Sequence, residues 1–295
     1  MSGIRIASQG GSGRRENLAD VVAEMNALVG LENVKRELNR FISLSRLAVL
    51  RRERELPSVR TNLHMVFSGP PGTGKTVVAR KVGRMLKAIR LLKVGDCIEV
   101  DRSQLVAPYV GQTATKTREV VERSLDNVLF IDEAYTLTSQ GPDRDPFGQE
   151  AIDTLLRLME NYRDRLVVIV AGYDGDMIKF RNSNPGLSSR FSRFVKFNAY
   201  SSKELTQIFE NMVVDNKLSI DDPGRRAAAR AVKEICDAYA NDETFGNARV
   251  IRSFFEKIVT AQAERLSQQE DLEALTDANL QTITDQDVAV ASETD

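Results

Sequence analysis

Gly69-Pro70-Pro71-Gly72-Thr73-Gly74-Lys75-Thr76 carries glycine, lysine and threonine in the spacing G-x-x-x-x-G-K-T. Glycines let a backbone curl until its N–H groups point inward, where they meet phosphate oxygens. A helix that starts at such a loop offers its positive end to the same charge. Lys75 is placed to bridge the terminal phosphates of a nucleoside triphosphate, and Thr76 to ligate Mg²⁺. Pro71, Gly72, Thr73 and Gly74 line the cradle. A second group is Asp132-Glu133, which ends the apolar run Val128–Ile131. Two carboxylates at the carboxyl end of a buried strand lie where open α/β sheets bind ligands. There Asp132 can hold the Mg²⁺ shell, partly through water, and Glu133 can orient and polarise an attacking water.

These groups need a sheet to position them. "LHMVFS" (63–68) before the glycine loop is a short apolar run bounded by turn residues, hence a buried strand. "CIEVD" (97–101), "NVLFID" (127–132), "RLVVIVAG" (165–172) and "RFVKFNA" (193–199) read as four more. Helical patterns fill the intervals, at "KTVVARKVGRMLKAI", 114–126 and 148–164. Strand–helix alternation over residues 60–200 predicts a parallel sheet covered on both faces. Residues 18–55 read as helix with a break at Val29-Gly30, ending before Pro57. From Ser201 the pattern turns all-helical, and Ser202 with a nearby Glu suggests an N-cap. The expected organisation is a flexible leader over 1–17, an α/β domain over 18–200, a helical domain over 201–290 and a tail over 291–295.

Composition narrows the function. The chain has 295 residues and a formal net charge of -1, so no global field draws it to nucleic acid or membrane. Residues 1–60 carry 11 Lys/Arg against 7 Asp/Glu, and residues 266–295 carry 8 Asp/Glu without Lys or Arg. Both ends are expected to be solvated. No run reaches the ~18 apolar residues of a membrane span, and the Gly/Ser-rich start lacks the apolar core of a secretory signal. Cys97 and Cys236 fit no metal or redox spacing and are expected as buried, reduced thiols in a cytoplasmic protein. His64, the one histidine, is expected to pack beside its strand. Ser-His-Asp and His-rich zinc chemistry are thereby excluded.

The phosphate loop, the Asp-Glu strand and the helical region behind them resemble the AAA+ ATPases over about residues 25–290. The resemblance implies a P-loop NTPase fold, a three-layer α/β/α parallel sheet of strand order 5-1-4-3-2 followed by a small α-helical lid. It implies assembly into a homo-oligomeric ring, usually a hexamer, with ATP and Mg²⁺ between neighbouring subunits. "LVGLENVKREL" is similar to the adenine-contacting segment, with Val29 and Gly30 near the base. "NPGLSSRFSRF" occupies the arginine-finger position, with Arg190 the first candidate and Arg193 the second. "FGNARVIRSF" resembles the lid motif whose Arg249 would touch nucleotide. The family's polar sensor on the fourth strand is replaced here by Gly172 and Tyr173. Tyr109-Val110-Gly111 is similar to the pore loop of protein-translocating members, and 136–148 could supply a second one.

Within the family, "YVGQTATKT", "VLFIDEAYTL", "GQEAIDTLLRLMENYRDRLVVIVAGY" and "FGNAR" resemble the CbbX, SpoVK and EccA group, and CbbX, a Rubisco activase, most of all. This implies an ATP-driven remodeller of a client protein, either the Rubisco large subunit or the client of a sporulation- or secretion-type relative. The segment after Asp132-Glu133 departs from the activases, so regulation by a sugar bisphosphate is not carried over. A nucleic-acid motor on the same fold would want a basic groove; Lys116 and Arg118 are the charges on offer near the pore segment.

Overall fold

The structure, a computed structural model, describes residues 16–57, 62–109, 111–138, 145–240, 242, 244–269 and 273–293. The chain divides into two compact units. One comprises the residues through Gly69 together with Gly74–Phe197, and the other Pro70–Thr73 together with Asn198 onward.

The first unit opens with helices α1 (Leu18–Asn26) and α2 (Glu32–Glu53). Strand β1 (Met65–Ser68) follows, then α3 (Lys75–Ala88), β2 (Cys97–Val100), α4 (Arg102–Leu105) and α5 (Thr113–Arg123). Strand β3 (Val128–Ile131) leads into a 3-10 turn, Ala134–Leu137, and α6 (Pro146–Asn161). Strand β4 (Val167–Gly172), α7 (Asp174–Asn182), α8 (Pro185–Arg190) and β5 (Arg193–Lys196) complete it. All strand pairs are parallel, in the order β2-β3-β4-β1-β5. This is the expected order 5-1-4-3-2 read from the other edge.

Strands β1, β3 and β4 are buried along their whole length. That burial is why they are continuous apolar runs and not alternating ones. One sheet face packs Leu129, Ile131, Val168 and Val170 against Val120, Val121, Ile152, Leu155 and Met159 of α5 and α6. Helix α6 starts where Asp145 accepts the Phe147 N–H at 3.1 Å and Pro146 fills the first turn. Helix α1 lies on α3, tied by Lys81 and Arg84 to Glu24 at 2.9 and 2.5 Å. These two cations hold the Glu24 carboxyl at a pKa of about 2, with the Arg84 hydrogen bond the larger influence.

His64 is buried, and its Nδ1 accepts the N–H of Val168 at 3.1 Å. Both cysteines are unpaired and partly, not fully, buried.

In the second unit, α9 (Ser202–Asp215), α10 (Asp222–Ala238) and α11 (Ala248–Ser267) pack around Leu205, Phe209, Val232, Ile251, Phe254 and Ile258. The cap of α9 is Ser201, not Ser202; it forms a capping box with Glu204. Two short strands correct the all-helical reading. Strands β6 (Ser219–Ile220) and β7 (Thr282–Ile283) pair in parallel after the short helix α12 (Asp277–Gln281). Helix α13 (Asp285–Glu293) then crosses the boundary expected at residue 290. The acidic end is not wholly solvated either. Asp287 is 1% exposed and receives Arg265 Nε at 2.6 Å and the Thr284 N–H at 2.8 Å. Among the described residues, no helix is long and apolar enough to cross a membrane.

Candidate nucleotide site

The base of the phosphate loop continues the sheet ladder. Gly69 N–H donates to Gly172 O of β4 at 3.1 Å, and Phe197 N–H donates to Ser68 O at 2.7 Å. Gly69 has φ +142°, and a Cβ there would stand 2.1 Å from Phe197 O. Only glycine fits so close an approach in that conformation. Gly74, at φ +91°, starts α3, so the loop delivers its chain straight into a helix N-terminus. Lys75 Nζ donates to Gly69 O at 2.7 Å, which folds its ammonium back across the loop.

The tip, Pro70–Thr73, belongs to the second unit. A Cβ on Gly72, at φ +69°, would collide with Gly246 O. Among the described residues, no acceptor takes the N–H of Gly72, Thr73 or Gly74. Three adjacent donors without partners, beside a lysine and a helix start, fit a polyphosphate.

Asp132 and Glu133 emerge from β3, separated from β1 by β4 alone. At ordinary strand spacing this is about 10 Å across the carboxyl edge. Both carboxylates are exposed, and Asp132 Oδ1 accepts the Glu133 N–H at 3.1 Å. Glu133 has φ +48°, uncommon for a residue with a side chain. Strain of this kind gathers at functional positions. No cluster of three or more His, Cys, Asp or Glu side chains among the described residues could hold a metal alone. A Mg²⁺ held by Thr76 and Asp132 would therefore complete its shell with phosphate oxygens and water, as this ion prefers.

The sensor position on β4 has a physical reason for its glycine. A Cβ on Gly172 would lie 2.7 Å from the Tyr135 ring and 2.8 Å from Met177 Sδ. Tyr135, on the turn after Glu133, fills that space, and its ring lies 6.2 Å from that of Tyr173.

The remaining expected residues of the first unit lie on other elements. Val29 and Gly30 occupy the turn between α1 and α2, with Gly30 at φ +59°. Arg190 ends α8 and pairs with Glu160 of α6 at 3.4 Å. Arg193 lies in β5, its guanidinium 4.9 Å from the centre of the Phe41 ring. Tyr109 is 68% exposed and Gly111 has φ +81°, while Val110 and residues 139–144 of the second loop lie outside the described residues. Lys116 donates to Ser103 O and Val106 O, so it braces the base of the Tyr109 loop and is not a free basic charge.

Arg249 lies in the first turn of α11 in the second unit. Two residues there were not singled out in the sequence, Asn247 and Tyr200. Asn247 Nδ2 donates to Pro71 O at 3.1 Å, and Tyr200 OH donates to Thr73 O at 3.3 Å. Asn247 sits inside the FGNAR motif beside the arginine that drew attention.

Residues 65–199 match the model of the ATPase family associated with various cellular activities, and residues 201–295 match an AAA lid domain. Protein CfxQ homolog of Pyropia yezoensis is 40% identical over 275 residues, 93% of this chain and 90% of that protein. This chain belongs to the AAA ATPases, of the CbbX and EccA type. EccA3 of the ESX-3 secretion system of Mycolicibacterium smegmatis is 41% identical over 280 residues, 92% of this AAA chain and 46% of that protein. EccA1 of the ESX-1 system of Mycobacterium tuberculosis is 36% identical over 285 residues, 95% and 50% respectively. The chain thus spans about half the length of these EccA relatives. Solved structures share the AAA fold. The FIGL-1 AAA domain in complex with ADP has a TM-score of 0.59 at 21% identity, covering 90% of this chain and 82% of that one. A Thermotoga maritima RuvB mutant has 0.59 at 18%, covering 91% and 71%.

Proposed function

We propose that this AAA ATPase hydrolyses ATP with Mg²⁺ to remodel a client protein, as a homo-oligomeric ring, usually a hexamer in this family. The observation that carries the reading is the phosphate loop between β1 and α3 with Asp132-Glu133 on the same sheet edge. Lys75 and the loop N–H groups bind the phosphates. Thr76 and Asp132 would hold Mg²⁺, which when bound would supply charge neutralisation for the triphosphate. Glu133 orients a water and takes its proton. Arg190 of a neighbouring copy stabilises the charge that develops on the transferring phosphoryl group. Val29 and Gly30 border the base, and Arg249 reads the nucleotide from the lid.

The client is a protein held by the Tyr109 loop, whose exposed aromatic ring grips side chains by apolar contact without reading sequence. The similarity to the CfxQ homolog runs through nearly the whole of both chains, which makes the Rubisco large subunit the first client to test. A partner of an EccA-type secretion system is the second. The setting is the cytoplasm.

A substrate trap tests this. Glu133→Gln should bind ATP while its turnover falls about 10²–10⁴-fold, the usual worth of a general base. Captured from host lysate with ATP and compared with an ATP-free control, it should enrich one protein. Rubisco large subunit would assign an activase, and another protein would name a different client. A trap that binds no ATP would sink the reading.

A further inference from the structure

Asn247 is spent in an unusual way. It stands directly before α11, where an Asn side chain ordinarily caps the helix, yet it makes no capping bond. Its backbone has φ 45° and ψ −123°, a conformation that favours glycine, and it is fully buried. Its side chain is turned from the helix and fully engaged. Nδ2 donates to Pro71 O at 3.1 Å and Phe245 O at 2.8 Å, and Oδ1 accepts the Tyr200 N–H at 3.0 Å. A strained, buried residue that forgoes its usual role is held by its surroundings for another one.

That role is visible in the loop tip. Three consecutive carbonyls are each taken by a donor of the second unit. Asn247 Nδ2 holds Pro71 O, the Ala248 N–H holds Gly72 O at 3.3 Å, and Tyr200 OH holds Thr73 O at 3.3 Å. Tyr200 keeps its proton for this, because burial first and Glu204 second push its pKa up to about 12. Among the described residues no peptide bond is cis. In a trans peptide the C=O of one residue and the N–H of the next point in opposite directions. Fixing the carbonyls of Pro71, Gly72 and Thr73 therefore aims the N–H groups of Gly72, Thr73 and Gly74 the other way. Those are the three donors without an acceptor.

We propose that Asn247 and Tyr200 are positioning residues of the phosphate site, setting the direction of its N–H donors by anchoring the carbonyls behind them. The inference rests on the nucleotide reading above and deepens it. The cradle is not a property of the glycine loop alone; its donors are aimed by the residues that open α9 and α11.

The test uses the full chain without nucleotide and then with ADP. Asn247→Asp keeps the acceptor for Tyr200 N–H but sets an anion against two carbonyls. Tyr200→Phe removes one hydroxyl. Arg265→Ala, which breaks the Asp287 pair far from the loop, serves as the structural control. In nucleotide-free protein, ¹⁵N relaxation should give Gly72, Thr73 and Gly74 order parameters near 0.85 in the unsubstituted chain. Values should fall below about 0.6 in both loop variants, the change from rigid to flexible backbone. Calorimetry should show ADP bound about tenfold more weakly, the worth of a lost hydrogen bond or two. Arg265→Ala should lower Tm and leave both readouts unmoved. Unchanged order parameters and ADP affinity in both loop variants would overturn the proposal, as would equal changes in the control. If Asn247→Asp fails to fold, Tyr200→Phe decides alone. An unsubstituted chain that binds no ADP would defeat the nucleotide reading instead, while the relaxation comparison would still decide whether the anchors aim the loop.

Discussion

Arg190 Nη2 lies 3.4 Å from Glu160 Oε2 of the same chain, while the buried Arg190 Nε finds no acceptor among the described residues. The helix that ends in Arg190 is pinned at that end, because Asn62 Nδ2 donates to the Arg190 carbonyl. The guanidinium is thus held by one long, half-exposed ion pair on a fixed backbone. Such pairs are worth at most about 1 kcal/mol, so under the proposed function a phosphate from a neighbouring copy would displace Glu160 at little cost. Arg193 is committed differently, stacked on Phe41.

Arg190→Ala is accordingly expected to lower kcat for ATP about 10³-fold or more, the worth of an arginine finger, with a smaller change in nucleotide affinity. Arg193→Ala is expected to register as a loss of stability of about 0.5–1 kcal/mol from the cation–π contact. Steady-state ATPase kinetics and thermal melts on the two variants check this. The reverse pattern would move the finger to Arg193.

His64 gives the first unit a pH dependence of its own. Burial first, and the Arg190 charge second, lower its pKa from 6.5 to about 4. Between those values the unfolded chain binds the proton and the folded one does not. Stability is therefore complete above pH 6.5 and declines as the pH falls towards 4, by about 3 kcal/mol in all. His64→Asn, which keeps an acceptor for the Val168 N–H, should flatten that limb in urea unfolding followed from pH 7 to 4.5. Identical slopes in both proteins would remove His64 from the account.

The second unit carries its own staple. Burial raises the Asp287 carboxyl, but Arg265 and the N–H and OH of Thr284 outweigh it and leave the pKa lowered. The pair's contribution is present above the unfolded value of about 3.9 and is lost as the pH falls through the lower folded value. That window lies below the His64 window, so the two are separable. Asp287→Ala should destabilise this unit by about 2–3 kcal/mol, less than a fully buried pair because Arg265 is partly exposed. Differential scanning calorimetry would reveal it; an unmoved transition would mean that α13 is held by its apolar face alone.

Legibility followed the strength of each local signal. The strands were readable because Val128–Ile131 and Val167–Gly172 are unbroken apolar runs between turn residues. The phosphate loop was readable because glycine spacing states a backbone requirement directly. Helix α7 went unread because only Met177 and Phe180 of its nine residues are buried, too few to set a period. Strands β6 and β7 are two residues each and pair across more than sixty positions, beyond any window of periodicity. Asp287 looked solvated because its partner, Arg265, stands just before the acidic stretch and 22 residues from Asp287. Asn247 and Tyr200 were hidden for the same reason: their work is done on Pro71 and Thr73, more than a hundred residues earlier.

The Tyr109 loop separates a threading motor from a nucleotide-dependent scaffold. Its base is rigid, with the Ala107 N–H on Thr113 Oγ1 at 3.1 Å, Thr117 Oγ1 on Leu105 O at 3.0 Å, and Lys116 across two carbonyls. Its aromatic tip is exposed, which leaves apolar area outside the fold where it contributes nothing to stability. Tyr109→Ala should therefore leave the unfolding free energy within about 0.5 kcal/mol of the original, as surface changes do. If the loop threads a client as proposed, client work per ATP consumed should collapse, because the aromatic side chain that would grip the client is gone. Measured as client refolding or reactivation divided by phosphate released, a ratio that stays level would show that the loop does not pull, and that the ring recruits its partner without threading it.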